Sequence, residues 1–233
     1  MKNKKLYIIP IANDEQVIHK SRDMFRDPSV GDILIVDDGS TDNTWGLVKG
    51  NKHLKYIQHE NQLGYGSAFI TGYEYARDLG YDVVVNLPPQ LSSIMMDDST
   101  LMDNISYGYD IVNCSRILEN YDHSSFREDR VSITAGIAGA LNNITDLTLT
   151  DPMSGIIAYR VSSLNDMELT DYSHGLLLQL WIQAVHFNLT VIEIPLQKQA
   201  DFGTELDQYE DPLGLFLSVM ETEKYLYQKG EIN

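Results

Sequence analysis

The sequence predicts an α/β fold in which a twisted, mostly parallel sheet carries helices on both faces. Short apolar runs recur along the 233 residues, and turn residues followed by a helical stretch separate each run from the next. The clearest run, residues 33–36, is apolar at every position and indicates a strand that is buried on both faces. The length is sufficient for one large α/β domain over residues 1–233.

Composition and charge exclude several classes of function. The formal net charge is −17 and no basic stripe is visible, which argues against binding of nucleic acid and against electrostatic docking to anionic lipid. Cys114 is the single cysteine, so no intrachain disulfide can form. No apolar run approaches the about 20 residues of a membrane span. These features predict a cytoplasmic protein without a transmembrane segment.

The first strand and helix are predicted from residues 6–10 and the polar residues that follow. Pro10 closes the strand because proline has no N–H group to donate to a sheet. Asn13 and Asp14 are suited to cap a helix that runs to about residue 26.

Two carboxylates, Asp37 and Asp38, follow the second strand directly. Gly39 allows a sharp turn, and Ser40 or Thr41 is suited to cap the next helix. In open α/β sheets, ligands bind where parallel strands end. Adjacent carboxylates there need hydrogen bonds either from a ligand or from the turn itself, so a ligand site and a plain strand-to-helix turn both stay open.

The third strand is predicted at residues 54–57, and a helix follows it. Along that helix small residues recur every four positions, which allows a very close approach to the sheet. These residues are Gly64, Ala68, Gly72 and Ala76. Backbone amides near Gly64 and Gly66 are also placed to bind phosphate. We favour close packing as the main use of these glycines.

The fourth and fifth strands are predicted at residues 81–86 and 110–116. After the fifth strand, residues 117–126 are polar and irregular, which indicates a loop over the sheet edge. Arg116, Arg127 and Arg130 are three of the seven arginines of the chain. In an acidic protein such a cluster is typical of a phosphate clamp, and surface ion pairing is the alternative.

The remaining sequence predicts two helices, at residues 133–144 and 174–187, and a last strand at residues 190–195. Between them, Asp151, Pro152, Ser154 and Gly155 have the composition of a turn that connects strands. A C-terminal helix places apolar residues on one face, which indicates a core contact or a homodimer contact. They are Leu213, Phe216, Leu217 and Met220.

Two of these segments resemble a known family. Residues 36–42 are similar to the Val-Asp-Asp-Gly-Ser-Thr-Asp segment of family 2 glycosyltransferases. Residues 151–156 resemble the Asp-Pro-x-Ser-Gly-Phe segment of their polyprenyl-phosphate sugar synthase branch, the dolichol-phosphate mannose synthase type. The resemblance extends from about residue 6 to residue 203. It implies a GT-A fold with a nucleotide-binding half at 1–115 and, at 116–233, an acceptor half with the C-terminal helix.

By this resemblance the chain is an enzyme that transfers a sugar, with inversion, from a UDP- or GDP-linked donor to an acceptor. The acceptor would be a polyprenyl phosphate at the cytosolic face of a membrane. In the donor half, the resemblance implies a nucleotide-binding set of Pro10, Asp14, Asp37, Asp38 and Gly64. In the acceptor half it implies that Arg116 and Arg130 hold phosphate and that Asp151 and Ser154 face the reaction centre.

The chain departs from the family at the metal site. The family's Asp-x-Asp binds Mg²⁺ or Mn²⁺, because carboxylates two residues apart in a strand point the same way. Here Asn86 and Gln90 are the matching oxygen ligands, Pro88 offers none, and Asp97 or Asp98 would be either a replacement ligand or a helix cap. The alternative function is therefore a catalytically impaired protein of this fold that binds a nucleotide or a partner protein.

Overall fold

A computed structural model describes residues 3–21, 25, 31–88, 98–118, 128–196 and 212–229. The described strands are β1 (Lys5–Ile11), β2 (Asp32–Asp37), β3 (Leu54–Gln58), β4 (Val83–Asn86), β5 (Ile111–Ser115), β6 (Ile157–Arg160) and β7 (Val191–Pro195). The helices are α1 (Glu15–Lys20), α2 (Thr44–Val48), α3 (Tyr65–Asp78), α4 (Ser99–Tyr107), α5 (Glu128–Thr145), α6 (Leu176–His186) and α7 (Pro212–Lys229). A short 3-10 helix, Val161–Leu164, follows β6.

The strands form one sheet in the order β3-β2-β1-β4-β6-β5-β7. All neighbouring pairs are parallel except those of β6, which runs antiparallel to β4 and β5. The prediction of a mostly parallel sheet is confirmed. β6 was not predicted, and it inserts a strand from the second half of the chain between two strands of the first half.

Each face of the sheet is covered by its own apolar core, because successive strand residues point to opposite faces. Leu6 and Ile8 of β1 pack with α3, α5, α6 and α7, whereas Tyr7 and Ile9 pack with α1, α2 and α4. Gly72 of α3 shows how closely that helix approaches the sheet: a Cβ atom there would lie 2.5 Å from Cγ2 of Ile8. Close packing as the reason for this glycine is confirmed.

The cap of α2 differs from the prediction. Asn43 is the N-cap residue, rather than Ser40 or Thr41. The hydroxyl of Ser40 instead accepts a hydrogen bond from the backbone amide of Asn13, at 2.8 Å. The small polar residues after β2 therefore join two loops instead of starting a helix.

The C-terminal helix α7 also differs in part from the prediction. Phe216 is 6% exposed, as expected for a core contact, but Leu217 is 61% exposed. Glu223, which is 1% exposed, accepts hydrogen bonds from Nε2 of Gln179 at 2.5 Å and of Gln183 at 3.3 Å on α6. A buried polar contact thus fastens α7 where only apolar contacts were expected.

Candidate active site

The predicted site residues meet at one edge of the sheet. β1, β2, β4, β5 and β7 all end at this edge, and the antiparallel strand β6 begins there with Ile157 opposite Asn86 and Asn113. The residues after β2, β4 and β5 and the segment before β6 therefore border the same edge. This edge is where ligands bind in open α/β sheets.

Asp37 is fully buried at the end of β2, and its own surroundings supply its hydrogen bonds. Oδ1 accepts from the amide of Ser40 at 2.8 Å, while Oδ2 accepts from the Tyr56 hydroxyl and from Nε2 of Gln58 at 3.2 Å. Burial, followed by the bond to Asp37, raises the pKa of Tyr56, so its phenol remains a donor. Trp45 lies against Tyr56 with ring centroids 4.5 Å apart.

Asp38, 3% exposed, closes the loop before α3. Its Oδ1 accepts from the amide of Leu63 at 2.9 Å, and its Oδ2 accepts from the amide of Gly64 at 2.7 Å. Nδ1 of His59 lies 2.8 Å from Oδ1 and must carry a proton, because an ionised carboxylate only accepts. Both aspartates are thus satisfied by the protein, and all the partners named here except the imidazole are neutral at any ordinary pH.

The loop after β1 completes the donor side of the edge. Pro10 is buried in β1 opposite Val36, and Asn13 adopts a positive φ of 57°. The Asn13 side chain accepts from the amides of Thr41 and Asp42 at 2.8 and 3.3 Å, which ties this loop to the one after β2.

Asp14 adds a further carboxyl group to this side. Its Oδ2 accepts from the amide of Ala12 at 3.0 Å. Burial raises the pKa of Asp14, and the nearby charges of Asp42 and Asp37 raise it further. The predicted nucleotide residues Pro10, Asp14, Asp37 and Asp38 therefore lie at the ends of β1 and β2 and in the loop after β1, on one side of the edge.

On the other side of the edge, Arg116 and Asp151 form a buried ion pair. The two residues are 4% and 0% exposed. Asp151 accepts from Nε and Nη2 of Arg116 at 2.7 and 2.8 Å, and from the Arg116 amide at 3.0 Å. Nη2 also donates to the carbonyl of Met153 at 3.1 Å. The guanidinium that was predicted to hold phosphate thus holds the carboxylate that was predicted to face the reaction centre.

A further set of polar side chains, behind the ion pair, orients the segment that contains Asp151. Glu193 on β7 accepts from the amides of Thr150 and Asp151 at 2.8 and 3.1 Å and from Nδ2 of Asn113 at 2.8 Å. The Ser154 hydroxyl donates to Oδ1 of Asn113 at 2.8 Å. Ser154 is fully buried, so in this arrangement it orders the segment around Asp151 and does not face solvent.

Asn86 lies between the two sides, at the end of β4. Its Nδ2 donates to the Tyr65 hydroxyl at 2.6 Å and to the carbonyl of Gly155 at 2.5 Å, and its Oδ1 is buried without a hydrogen-bond partner. Tyr65 stacks on His174 with centroids 4.6 Å apart. Burial lowers the pKa of His174 to about 4, against a smaller opposing effect of Asp171, so the imidazole is neutral at pH 7.

The start of α3 is covered by the loop before α6. A Cβ atom on Gly64 would lie 2.2 Å from the carbonyl oxygen of Tyr172, and one on Gly66 would lie 2.2 Å from that of Asp171. Gly64 also has a φ of +110° and gives its amide to Asp38. Close backbone packing therefore accounts for both glycines.

Several predicted residues cannot be placed. Gln90, Asp97 and Arg127 lie outside the described residues, and for Arg130, in the first turn of α5, the backbone alone is described.

The described residues do not fit a divalent metal ion. Among them, no group of three histidine, cysteine, aspartate or glutamate side chains is close enough to hold one. Asp98, a candidate replacement ligand, is the N-cap residue of α4 and accepts from Lys5 and Tyr7, each at 2.5 Å. It thus packs on the α4 face of the sheet, whereas Asn86 bonds to α3 on the other face. Asp98 is a helix-cap residue, not a partner of Asn86.

The fold is an α/β fold with polar side chains gathered at one edge of a mostly parallel sheet, and comparison with known proteins gives the family. A family model for glycosyl transferase family 2 matches residues 7–167, so the chain belongs to that family. A UDP-N-acetylglucosamine–dolichyl-phosphate N-acetylglucosaminyltransferase of Methanococcus voltae is 33% identical over 102 residues, 36% of this chain and 41% of the relative. An undecaprenyl-phosphate mannosyltransferase of Micrococcus luteus is 25% identical over 201 residues, 82% of each chain. The predicted resemblance is confirmed.

The fold has close structural neighbours. Glucosyl-3-phosphoglycerate synthase from Mycobacterium tuberculosis, crystallised with Mn²⁺, UDP and phosphoglyceric acid, superposes with a TM-score of 0.69 at 17% identity. The match covers 94% of this chain and 78% of that one. This likeness establishes the GT-A fold, as predicted. Along the described ranges, no helix is both long and apolar enough to cross a bilayer.

Sequence reasoning missed the residues that hold the acidic side chains in place. Tyr56 and His59, which bind Asp37 and Asp38, lie in and just after β3, and Glu193 lies in β7. The parallel register of β3 with β2 places Gln58 opposite Asp37, so polar residues at the end of β3 were the available signal. His174 gave no such signal, because it reaches Tyr65 from a loop about a hundred residues away.

Proposed function

We propose that this chain is a glycosyltransferase that moves a sugar, with inversion, from a UDP- or GDP-linked donor to a polyprenyl phosphate. The observation that carries the proposal is the convergence of Asp37–Asp38 and Asp151–Ser154 at one sheet edge in a chain of this family. Relatives whose names specify dolichyl and undecaprenyl phosphate acceptors support the acceptor class. The enzyme would act in the cytoplasm, at the cytosolic face of a membrane.

The carboxylates at the ends of β1 and β2 suit the donor nucleotide. Uracil and guanine each present ring N–H groups, which are hydrogen-bond donors that a carboxylate accepts. Asp14, Asp37 and Asp38 provide such acceptors, and Pro10 adds an apolar wall. A carboxylate accepts up to about four hydrogen bonds. Asp14, which is partly buried and accepts from the amide of Ala12, is the most exposed of the three carboxylates and the one a ligand would reach first.

The Arg116–Asp151 pair supports a phosphate acceptor over a hydroxyl acceptor. A hydroxyl acceptor needs a general base, and Asp151 is the candidate at this edge, but Arg116 binds both of its carboxylate oxygens. An acceptor phosphate is already ionised and needs no such base. In this proposal Asp151, held in place by Arg116, and Ser154 position the acceptor side, and Arg130 supplies positive charge for phosphate.

The test is a transfer assay with radiolabelled UDP- and GDP-sugars and two matched acceptors, a polyprenyl phosphate and the corresponding polyprenol. We expect label to enter the lipid phase with the phosphate and not with the alcohol. Transfer to polyprenol alone would contradict the proposed acceptor class. The absence of any transfer, across all the donors, would contradict the enzymatic function.

A second candidate is a protein of this fold that binds a nucleotide or a partner without catalysis. The replacement of the metal-binding Asp-x-Asp by Asn86-Leu87-Pro88 favours it. It predicts that UDP or GDP raises the melting temperature while neither transfer nor slow hydrolysis of any nucleotide sugar is detected. Detectable release of UDP or GDP from a nucleotide sugar would exclude it.

A further inference from the structure

We infer that the donor site of this chain binds its nucleotide sugar without a divalent cation, because Asn86 is built into the protein as a hydrogen-bond donor where a metal ligand would be needed. This inference rests on the proposed function, in that it concerns how the same site holds a diphosphate. It follows from the surroundings of Asn86 and from the carboxylates nearby.

The surroundings of Asn86 require an amide. The carbonyl oxygen of Gly155, 2.5 Å from Nδ2, has no proton to give, so residue 86 must donate to it. A carboxylate at this position would place one anionic oxygen against that carbonyl oxygen, and the repulsion would expel one of the two groups. The contact also fixes which end of the Asn86 amide is the nitrogen, so the aspartate of the usual metal motif is incompatible with this packing.

The remaining oxygen of Asn86 is poorly suited to an ion. Oδ1 is neutral and buried, and Mg²⁺ requires near-octahedral coordination in which several waters are normally retained. Among the described residues, the groups next to Asn86 on this face are neutral as well, namely the phenol of Tyr65 and the imidazole of His174. Neutral ligands do not repay the dehydration of a small divalent cation.

The neighbouring carboxylates are already engaged within the protein. Asp38 and Asp37 each accept three hydrogen bonds from the loops around them. Asp151 is held by the guanidinium of Arg116, and Asp98 lies on the opposite face of the sheet. A metal ion would have to break several of these contacts.

The first experiment measures metal binding and nucleotide binding separately, on the unaltered chain. Electron paramagnetic resonance of Mn²⁺ should show no saturable loss of the free-ion signal as protein is added. Calorimetric titrations of UDP and GDP in EDTA and in Mn²⁺ should give affinities that differ by less than tenfold. A saturable Mn²⁺ site, or nucleotide binding that EDTA abolishes, would overturn the inference.

The two proposals fail in different ways. If neither UDP nor GDP binds under either condition, the proposed function is wrong, while the Mn²⁺ spectra still decide whether the site holds a metal. If a nucleotide binds only with Mn²⁺, the proposed function stands and the metal-free site is wrong.

The second experiment tests the packing argument through Asn86→Asp. Loss of the donor to Gly155 should lower the melting temperature by about 5 °C at pH 7.5, and Mn²⁺ should not restore it. Asn143→Asp is the matched control: it adds the same charge at an exposed position of α5 and should change the melting temperature little. An Asn86→Asp variant that Mn²⁺ stabilises would show that residue 86 is open to a metal, against the inference.

Discussion

The two sides of the sheet edge hold their buried carboxylates in different ways. On the donor side, Asp37 and Asp38 are held by backbone amides, a phenol, a side-chain amide and an imidazole. On the acceptor side, Asp151 is held by a bidentate guanidinium. Asp37 therefore has only neutral partners among these groups, whereas Asp151 is paired with a cation. The following predictions test this difference.

The largest effect is expected for Arg116→Ala. It would leave the Asp151 carboxylate buried without its cation, and breaking such a pair from one side costs about 3–5 kcal/mol. Urea unfolding measures this loss. Arg77→Ala, which removes an exposed ion pair with Asp78, is the control and should change the stability little.

A double variant separates the pair from its parts. Arg116→Met combined with Asp151→Leu removes both charges and should recover much of the stability that Arg116→Ala loses. Equal stability of Arg116→Ala and the unaltered chain would mean that the two side chains do not act as a pair.

A smaller loss is expected for Asp38→Ala on the donor side. The amides of Leu63 and Gly64 would lose their acceptor, at a cost of about 1–3 kcal/mol, and calorimetry should show that nucleotide binding is lost. The expected effects therefore include stability as well as binding. Asp78→Ala, at an exposed position, is the control for the loss of one carboxylate. Unchanged UDP and GDP affinity in Asp38→Ala would remove Asp38 from the site.

Two glycine-to-alanine substitutions, one in α3 and one in α5, should change the free energy of unfolding in opposite directions. In Gly72→Ala the new methyl group would lie 2.5 Å from Ile8, so we expect a loss of about 1–3 kcal/mol. In Gly139→Ala no atom lies within 4 Å of the new methyl group, so higher helix propensity should stabilise α5 by up to about 1 kcal/mol. Chemical denaturation of both variants measures the contrast, and a stabilised Gly72→Ala would contradict the tight contact of α3 with β1.

The smallest effect is expected from the pH dependence of His174. Its pKa is about 4 in the folded chain and near 6.5 when exposed, so the unfolded state binds the proton first as the pH falls. Stability is therefore fully present above pH 6.5 and declines towards pH 4, by about 1 kcal/mol at pH 5.5. His174→Phe keeps an aromatic ring on Tyr65 and should flatten this decline in urea titrations at pH 7 and pH 5.5. An unchanged decline would assign it to other groups.

Much of the fold was predictable because local signals were strong. Six of the seven described strands follow apolar runs that end in polar turns, and the register of the glycines in α3 was visible in the sequence. β6 was not predictable, because its four residues continue directly from a turn and its place between β4 and β5 depends on pairing with distant strands. The cap of α2 was predicted wrongly for a similar reason, because the backbone amide of Asn13, in another loop, donates a hydrogen bond to the hydroxyl of Ser40.

The candidate site was predictable in its residues but not in their contacts. The positions of Asp37, Asp38 and Asp151 follow from their motifs. That Arg116 binds Asp151 depends on how β6 pairs with β5, and that Asn86 binds Gly155 depends on how β6 pairs with β4. No local pattern encodes either pairing. Both contacts changed the chemical interpretation of the site, from exposed charges to a set of internally satisfied ones.

The contact of Glu223 with α6 has a consequence for how the chain folds while it is being synthesised. Nε2 of Gln179 donates a hydrogen bond to Glu223, and Oε1 of Gln179 accepts hydrogen bonds from the amides of Thr170 and Asp171. Both amides lie in the loop that covers the start of α3. At ordinary rates of translation, roughly three to ten seconds separate the synthesis of Asp171 from the synthesis of Glu223. For that interval the loop that covers the start of α3 lacks its last support, so a ribosome-bound chain would be more open there to proteases and chaperones than the completed chain.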